Sequence, residues 1–114
     1  MVDLNRPVFL MLKDLADVEL EFPGTNSKFP IITVTEISNI EDMSIDGIEV
    51  ISDITYQIDV WDNGATRERC EELAQKASKI LAANHFMRIL GRGFKDVSGL
   101  HRKMMYFKTK VINL

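Results

Sequence analysis

The sequence predicts an α+β domain: a mainly antiparallel four- to five-stranded sheet, two helices packed on one face, and a projecting hairpin. Three observations carry this. Ile48, Val50, Ser52, Ile54, Tyr56, Ile58 and Val60 occupy alternate positions, with Glu49, Asp53, Thr55, Gln57 and Asp59 between them. That period of two describes a strand with one buried face. Farther on, Cys70, Leu73, Ala74, Ala77, Ile80 and Leu81 recur at helical spacing, with Arg67, Glu68, Glu71, Glu72, Lys76 and Lys79 facing water. The element order α, β, β, β, α, β, β, with short connections, favours hairpins under helices that cover one face.

The first helix is expected over residues 7–16. Val8, Met11, Leu12 and Leu15 form one stripe, and Pro7 suits a first turn. Val18, Leu20 and Phe22 alternate with Glu19 and Glu21, as in a half-buried strand. Residues 23–27, Pro-Gly-Thr-Asn-Ser, read as a turn. A second strand spans residues 30–38, followed by a looser stretch over 39–47 that closes on Asp46-Gly47, a hairpin turn pair. After the long strand, Asn63-Gly64 ends the element, and Asn63 is the expected cap of a helix over residues 65–84. Glu72 and Lys76 stand in the favourable i, i+4 order. Two more strands follow, over residues 86–90 (extending towards Phe94) and 102–112. In the last, Met105, Phe107, Thr109 and Val111 share one face with Lys103.

A chain of 114 residues accommodates a single domain spanning residues 1–114. No run approaches the roughly 20 apolar residues of a membrane span, and residues 1–12 lack a signal-peptide pattern. The one cysteine, Cys70, excludes an internal disulfide framework and a multi-thiolate metal site, and fits a reducing cytoplasm.

The net charge of −3 conceals a split. Residues 1–66 hold three basic side chains against thirteen acidic, a balance of −10; residues 67–114 hold eleven against four, +7. Either the protein presents faces of opposite sign to partners or to copies of itself, or neighbouring strands neutralise one another within the monomer. A size argument adds a constraint. Thirteen strand residues at ~3.3 Å each give ~43 Å, whereas a compact domain of this length is ~34 Å across. The strand must bend or project. A projecting hairpin would carry Ile40, Met43, Ile45, Ile48 and Ile51 away from the core, mobile in the free subunit and ordered by a neighbour.

Signatures of catalysis are absent from the sequence, which is read as that of a non-enzyme without cofactor or metal. His85 and His101 lack zinc-ligand spacing, and Cys70 lies on an apolar helix stripe, as an inert buried thiol does. There is no nucleophile elbow and no phosphate-binding glycine loop. Asp53 and Asp59 fall on the strand face opposite the apolar residues, where acids are normally solvated, and Asp62 falls in a turn. Arg88, Arg92, Lys95, Arg102, Lys103, Lys108 and Lys110 make the end of the chain basic. Arg92-Gly93-Phe94 is similar to the start of an RNA-binding strand motif, but Lys95 and Asp96 break it, and Gly91 and Gly93 read more simply as a bulge.

Pro30, Ile32, Val34, Glu36 and Asn39, followed after a variable loop by Tyr56-Gln57-Ile58-Asp59-Val60-Trp61, resemble the tail-completion (tail-terminator) proteins of long-tailed bacteriophages. The amphipathic helix, Phe94 and the strand from Arg102 to Tyr106 continue the resemblance, which covers most of the chain from Leu4 onward. It implies a small α+β virion subunit, without catalysis or cofactor, that forms a hexameric ring at the head-proximal end of the tail. The implied partners are copies of itself, the tail tube protein and the head–tail connector or neck protein. DNA is met only in passage through the ring. The implied location is the virion tail, with the host cytoplasm during assembly. The residues expected at the subunit interface are Ile40, Met43, Ile45 and Ile48 of the hairpin, Arg88 and Arg92 of the basic region, and Trp61. The last either caps a secondary cluster or, the reading its place near the strand end favours, makes an exposed contact. Two alternatives stand beside this reading: a head-closure or other neck protein, and a small DNA-binding or nuclease-like accessory domain.

Overall fold

The structure, a computed structural model, describes residues 1–25 and 27–112. Seven elements follow in order: α1 (Asn5–Leu12), β1 (Asp17–Leu20), β2 (Ile31–Ile45), β3 (Ile48–Asp62), α2 (Glu68–Ala83), β4 (Met87–Lys95) and β5 (His101–Ile112). The strands form one five-stranded sheet in the order β1-β2-β3-β5-β4. The class is α+β as expected. The sheet is mixed rather than built only of hairpins, because β1 runs parallel to β2, with Asp17 to Leu20 opposite Ile31 to Val34. The remaining pairs are antiparallel.

The even-numbered face of β3 makes the core. Ile54, Tyr56, Ile58 and Val60 are buried against Val8 and Leu12 of α1 and Cys70, Leu73, Ala74, Ala77 and Leu81 of α2, with Ile32, Val34, Met105 and Phe107 beside them. The two helices therefore cover the same face. Two side-chain bonds fasten the N-terminal segment to the sheet: Tyr56 Oη donates to Asn5 Oδ1 at 2.8 Å, and Asn39 Nδ2 donates to the Val2 carbonyl at 2.6 Å. Burial, with help from the charges of Glu36 and Asp3, pushes the Tyr56 hydroxyl up to about 12.

Both helices are shorter than their periodicity suggested. α1 begins at Asn5, whose N–H is accepted by Asp3 Oδ1. α2 begins at Glu68 rather than at Ala65, and Asn63 does not cap it. Asp62 instead holds the turn, accepting from the backbone N–H groups of Asn63 and Gly64, and a Cβ on Gly64 would lie 2.9 Å from its Oδ2, which favours glycine there. Glu68 and Glu71 then sit in the first turn, where the helix dipole favours acids. At the other end His85 adopts φ +68°, and the N–H groups of His85 and Phe86 return to the carbonyls of Ala82 and Leu81. This left-handed stop turns Phe86 into the core.

The stretch over residues 39–45 is strand, not loop. β2 runs to Ile45 and is paired with β3 throughout, but with register shifts between Glu36 and Ser38, Glu41 and Met43, and Met43 and Ser44. Each shift resets the alternation of faces, so the period of two disappears from the sequence while the ladder continues. Asp46 and Gly47, with φ +53° and +78°, make the two-residue turn. β1 also departs from expectation. Glu21 at φ +66° ends it, and Leu20 and Phe22 are exposed. Of the expected turn over residues 23–27, Asn26 lies outside the described residues.

The molecule measures 55 × 25 × 25 Å with a radius of gyration of 15.1 Å, above the ~13 Å of a compact chain of this length. The excess lies along β2 and β3, so the hairpin does project. Truncation in the covered and uncovered halves of the hairpin should differ sharply. In urea denaturation, Ile58→Ala should cost about 2–5 kcal/mol, as for a fully buried aliphatic side chain, whereas Ile45→Ala should stay within about 0.5 kcal/mol.

Candidate interaction surface

At the far end of the hairpin the sheet outruns the helices. Ile40, Met43, Ile45 and Ile48 are 59%, 51%, 57% and 68% exposed. Two further exposed residues join them. Ile37 lies on β2, and Ile112 lies opposite Ile51, which itself pairs with Met43, so these three apolar side chains form a row across β2, β3 and β5. Ile51 is half-buried by that row. The contribution of Ile112 depends on the β3–β5 register, which no local pattern discloses.

Trp61 is placed differently from expectation. It is only 3% exposed, its Nε1–H donates to Thr33 Oγ1 at 2.8 Å, and Phe22 meets it edge-on with ring centroids 6.5 Å apart. The Arg102 guanidinium lies 4.3 Å from its ring centroid. Trp61 therefore caps a second cluster on the open face of the sheet. Phe94 completes that cluster, with the same guanidinium 5.3 Å from its centroid.

Arg102 is the hub of the open face. It bonds Asp59 at 3.0 Å and Asp96 at 3.2 Å while stacked between the two aromatic rings. Asp59, expected to be solvated, is 1% exposed. Burial raises its pKa, against the hydrogen bond and charge of Arg102 and a bond from Gln57 Nε2 at 2.8 Å. Asp62 behaves oppositely. Burial raises it, but the Arg69 guanidinium and the backbone N–H groups of Asn63 and Gly64 outweigh that, and its pKa is lowered. Glu71 and Asp96 are likewise raised by burial, yet held below their ordinary values by Lys103 and Arg67 and by Ser98 and Arg102 respectively.

These pairs resolve part of the charge split within the monomer. The acid-rich β3 lies beside the base-rich β5, and Lys108 meets Asp53, Lys110 meets Asp42, and Lys103 of β5 meets Glu71 of α2. The β4 cations remain. Arg88 and Arg92 form no ion pair among the described residues; Arg92 lies 5.4 Å from the Phe94 ring centroid. Arg88 lines an open groove of about 360 Å³ between α2 and the β4–β5 end of the sheet, with Lys79, Lys103, Glu71, Gln75 and Met105 among its walls. Met87, Ile89 and Leu90 are exposed on the same strand. The interface residues expected from sequence thus separate into two patches, the hairpin and β4, on different strands of the sheet.

The remaining candidates occupy structural positions. Cys70 is buried with its Sγ 3.5 Å from the Val60 carbonyl, and burial pushes its thiol up to about 11. His85 ends α2, and a nitrogen of the His101 ring lies 3.1 Å from the Gly64 carbonyl. The β4 bulge falls between Arg88 and Leu90, not at the glycines. Gly93 has another use: a Cβ there would lie 2.5 Å from Arg67 Nη2, which would block the bonds Arg67 donates to the Phe94 and Arg102 carbonyls.

No protein-family model and no curated protein matches the chain. A solved structure of the bacteriophage SPP1 gp17 protein is similar to it at a TM-score of 0.44 and 18% identity, over 95% of this chain and 80% of that one.

Two measurements test the open-face electrostatics. Replacing Arg102 by Met should cost about 3–5 kcal/mol, because Asp59 is left as a buried unpaired charge, and Asp59→Asn in the same background should recover part of that loss. The lowered pKa values of Asp62, Glu71 and Asp96 add stability above about pH 4, which is lost as pH falls through their depressed folded-state values. Asp59 has the opposite sign, since its raised value favours the folded state as it protonates. In acid titrations of the urea midpoint, Asp62→Asn should therefore flatten the loss and Asp59→Asn should steepen it.

Proposed function

We propose that this chain is a non-catalytic bacteriophage structural subunit of the tail-completion or tail-terminator type. Its copies assemble into a ring, six in the virion, that closes the tail tube and offers the surface to which the neck of the head attaches. The observation that carries this reading is the projecting arm. Four large apolar side chains at its end are more than half exposed, on a hairpin that extends a 25 Å-wide body to 55 Å. Such a group in water favours a partner that covers it.

The residues through which the sequence resembles tail-terminator proteins support the same reading. Ile32, Val34, Glu36 and Asn39 belong to β2, and the run from Tyr56 to Trp61 belongs to β3, the two strands that build the arm. The resemblance therefore lies on the framework that holds the arm out. Two distinct patches, one on the arm and one on β4, suit a head-to-tail contact, which closes into a ring when the rotation between copies permits.

Light scattering across a concentration series, together with electron microscopy of purified tails, tests the reading. The expected result is rings that bind tail ends. Rings that bind isolated connectors and ignore tails would place the subunit in the neck, and a chain that stays monomeric and indifferent to tails would overturn the proposal. Deleting residues 42–47 should abolish assembly while the circular dichroism spectrum and urea midpoint of the monomer persist. Retention on DNA at low salt, with no association between copies, would favour the DNA-binding alternative.

A further inference from the structure

The sheet leaves two long backbone edges without a strand partner among the described residues. β1 covers β2 only at residues 31–34, so the outer edge of β2 is uncovered over residues 35–45. At the opposite side of the sheet, β4 is the terminal strand, nine residues long and exposed over nearly its whole length. At ~3.3 Å per residue these edges are ~36 Å and ~30 Å long. The two lengths are comparable.

Their charges are complementary. Residues 35–45 contain Glu36, Glu41 and Asp42 and no base; β4 contains Arg88, Arg92 and Lys95 and no acid. Asp42 is engaged by Lys110, but Glu36 and Glu41, like the three β4 cations, have no ion pair among the described residues. Both edges also carry exposed apolar side chains, Ile37, Ile40 and Met43 on one and Met87, Ile89 and Leu90 on the other. Exposed edges of this length are templates for strand addition, and nature blunts them with charge. Here each edge is charged against itself and not against the other. Pairing β4 with β4, or β2 with β2, would set like charges side by side; pairing β2 with β4 would set opposite charges together.

We propose that the uncovered edge of β2 in one copy of this chain pairs with β4 of the next, so that the sheets of neighbouring subunits become continuous. This rests on the reading of the chain as a self-assembling subunit and specifies its contact. The two edges lie on opposite sides of the sheet, so the contact is heterologous. Each subunit keeps one edge to give and one to receive until the assembly closes. The ladder supplies backbone hydrogen bonds, the charges fix which edges meet, and the apolar side chains of the arm are covered as a consequence.

Charge reversal on each edge tests the proposal. One variant carries Glu36→Lys and Glu41→Lys, the other Arg88→Glu and Arg92→Glu, with folding checked by circular dichroism and association measured by sedimentation velocity. Each variant alone should associate at least about tenfold more weakly than the wild type, from like charges across the contact. An equimolar mixture should regain wild-type association, because acidic and basic edges then alternate between the two kinds of subunit. Wild-type association should also weaken from low to high salt, a readout that needs no variant. Wild-type assembly that ignores salt and both reversals, or a mixture that stays dissociated, would overturn the edge contact while leaving self-assembly standing. A β2 variant that assembles normally beside a β4 variant that does not would place the contact of β4 somewhere other than the β2 edge and also overturn it. A wild-type chain that never associates overturns both the contact and the ring.

Discussion

The helices of this molecule are shorter than the strands they cover, and the surface follows from that mismatch. α2, with 16 residues, is ~24 Å long, and α1, with eight, is ~12 Å. β3, with 15 residues, extends ~50 Å. The roofed part of β3 begins at about Val50, and there Val50, Ser52, Ile54, Tyr56, Ile58 and Val60 are buried in succession. Beyond that roof, strand pairing continues because hydrogen bonding along a ladder needs no helix. Ile45 and Ile48, past the roof, are left in water, and Ile40 and Met43, opposite Asp53 and Ile51, add exposed apolar groups on the face that no helix covers.

Charge is handled with the same economy of position. The acid-rich first half of the chain and the base-rich second half meet because β5 returns between β3 and β4, so that its cations reach Asp53 and Asp59 of β3, Asp42 of β2 and Glu71 of α2. Arg102 shows how far this goes: one guanidinium neutralises Asp59 and Asp96 and lies against Trp61 and Phe94. Among the charges left without an ion pair are those on the sheet edges, where no neighbouring strand exists to answer them. Edge charge normally keeps strands apart. On this chain the two edges have opposite signs, so the same device that prevents like edges from meeting selects the unlike ones.

How much was legible in the residues depended on whether the signal was local. The period of two in β3, the helical stripe of α2 and the Asp46-Gly47 turn are local, and each appears where its pattern places it. The outer half of β2 has no visible period because bulges near Ile37, Asp42 and Met43 shift the register. Trp61 and Asp59 lie on the odd face of β3, which alternation assigns to solvent. They are buried because Phe22, from the segment after β1, and Arg102, from β5, fold over them. Both contacts join residues distant in sequence.

The sequence by itself determined the class, the buried face of the central strand, the approximate helices, and a strand too long for its body. These depend on spacing within a dozen or so residues and on chain length, quantities that a linear string contains. Only the tertiary structure decided the parallel pairing of β1, the burial of Trp61 and Asp59, the pairing of Asp53 and Asp59 with β5, and the two oppositely charged open edges. Each of these depends on which strands become neighbours. Neighbour choice is governed by the summed packing of the whole sheet against two helices, and no single segment encodes it.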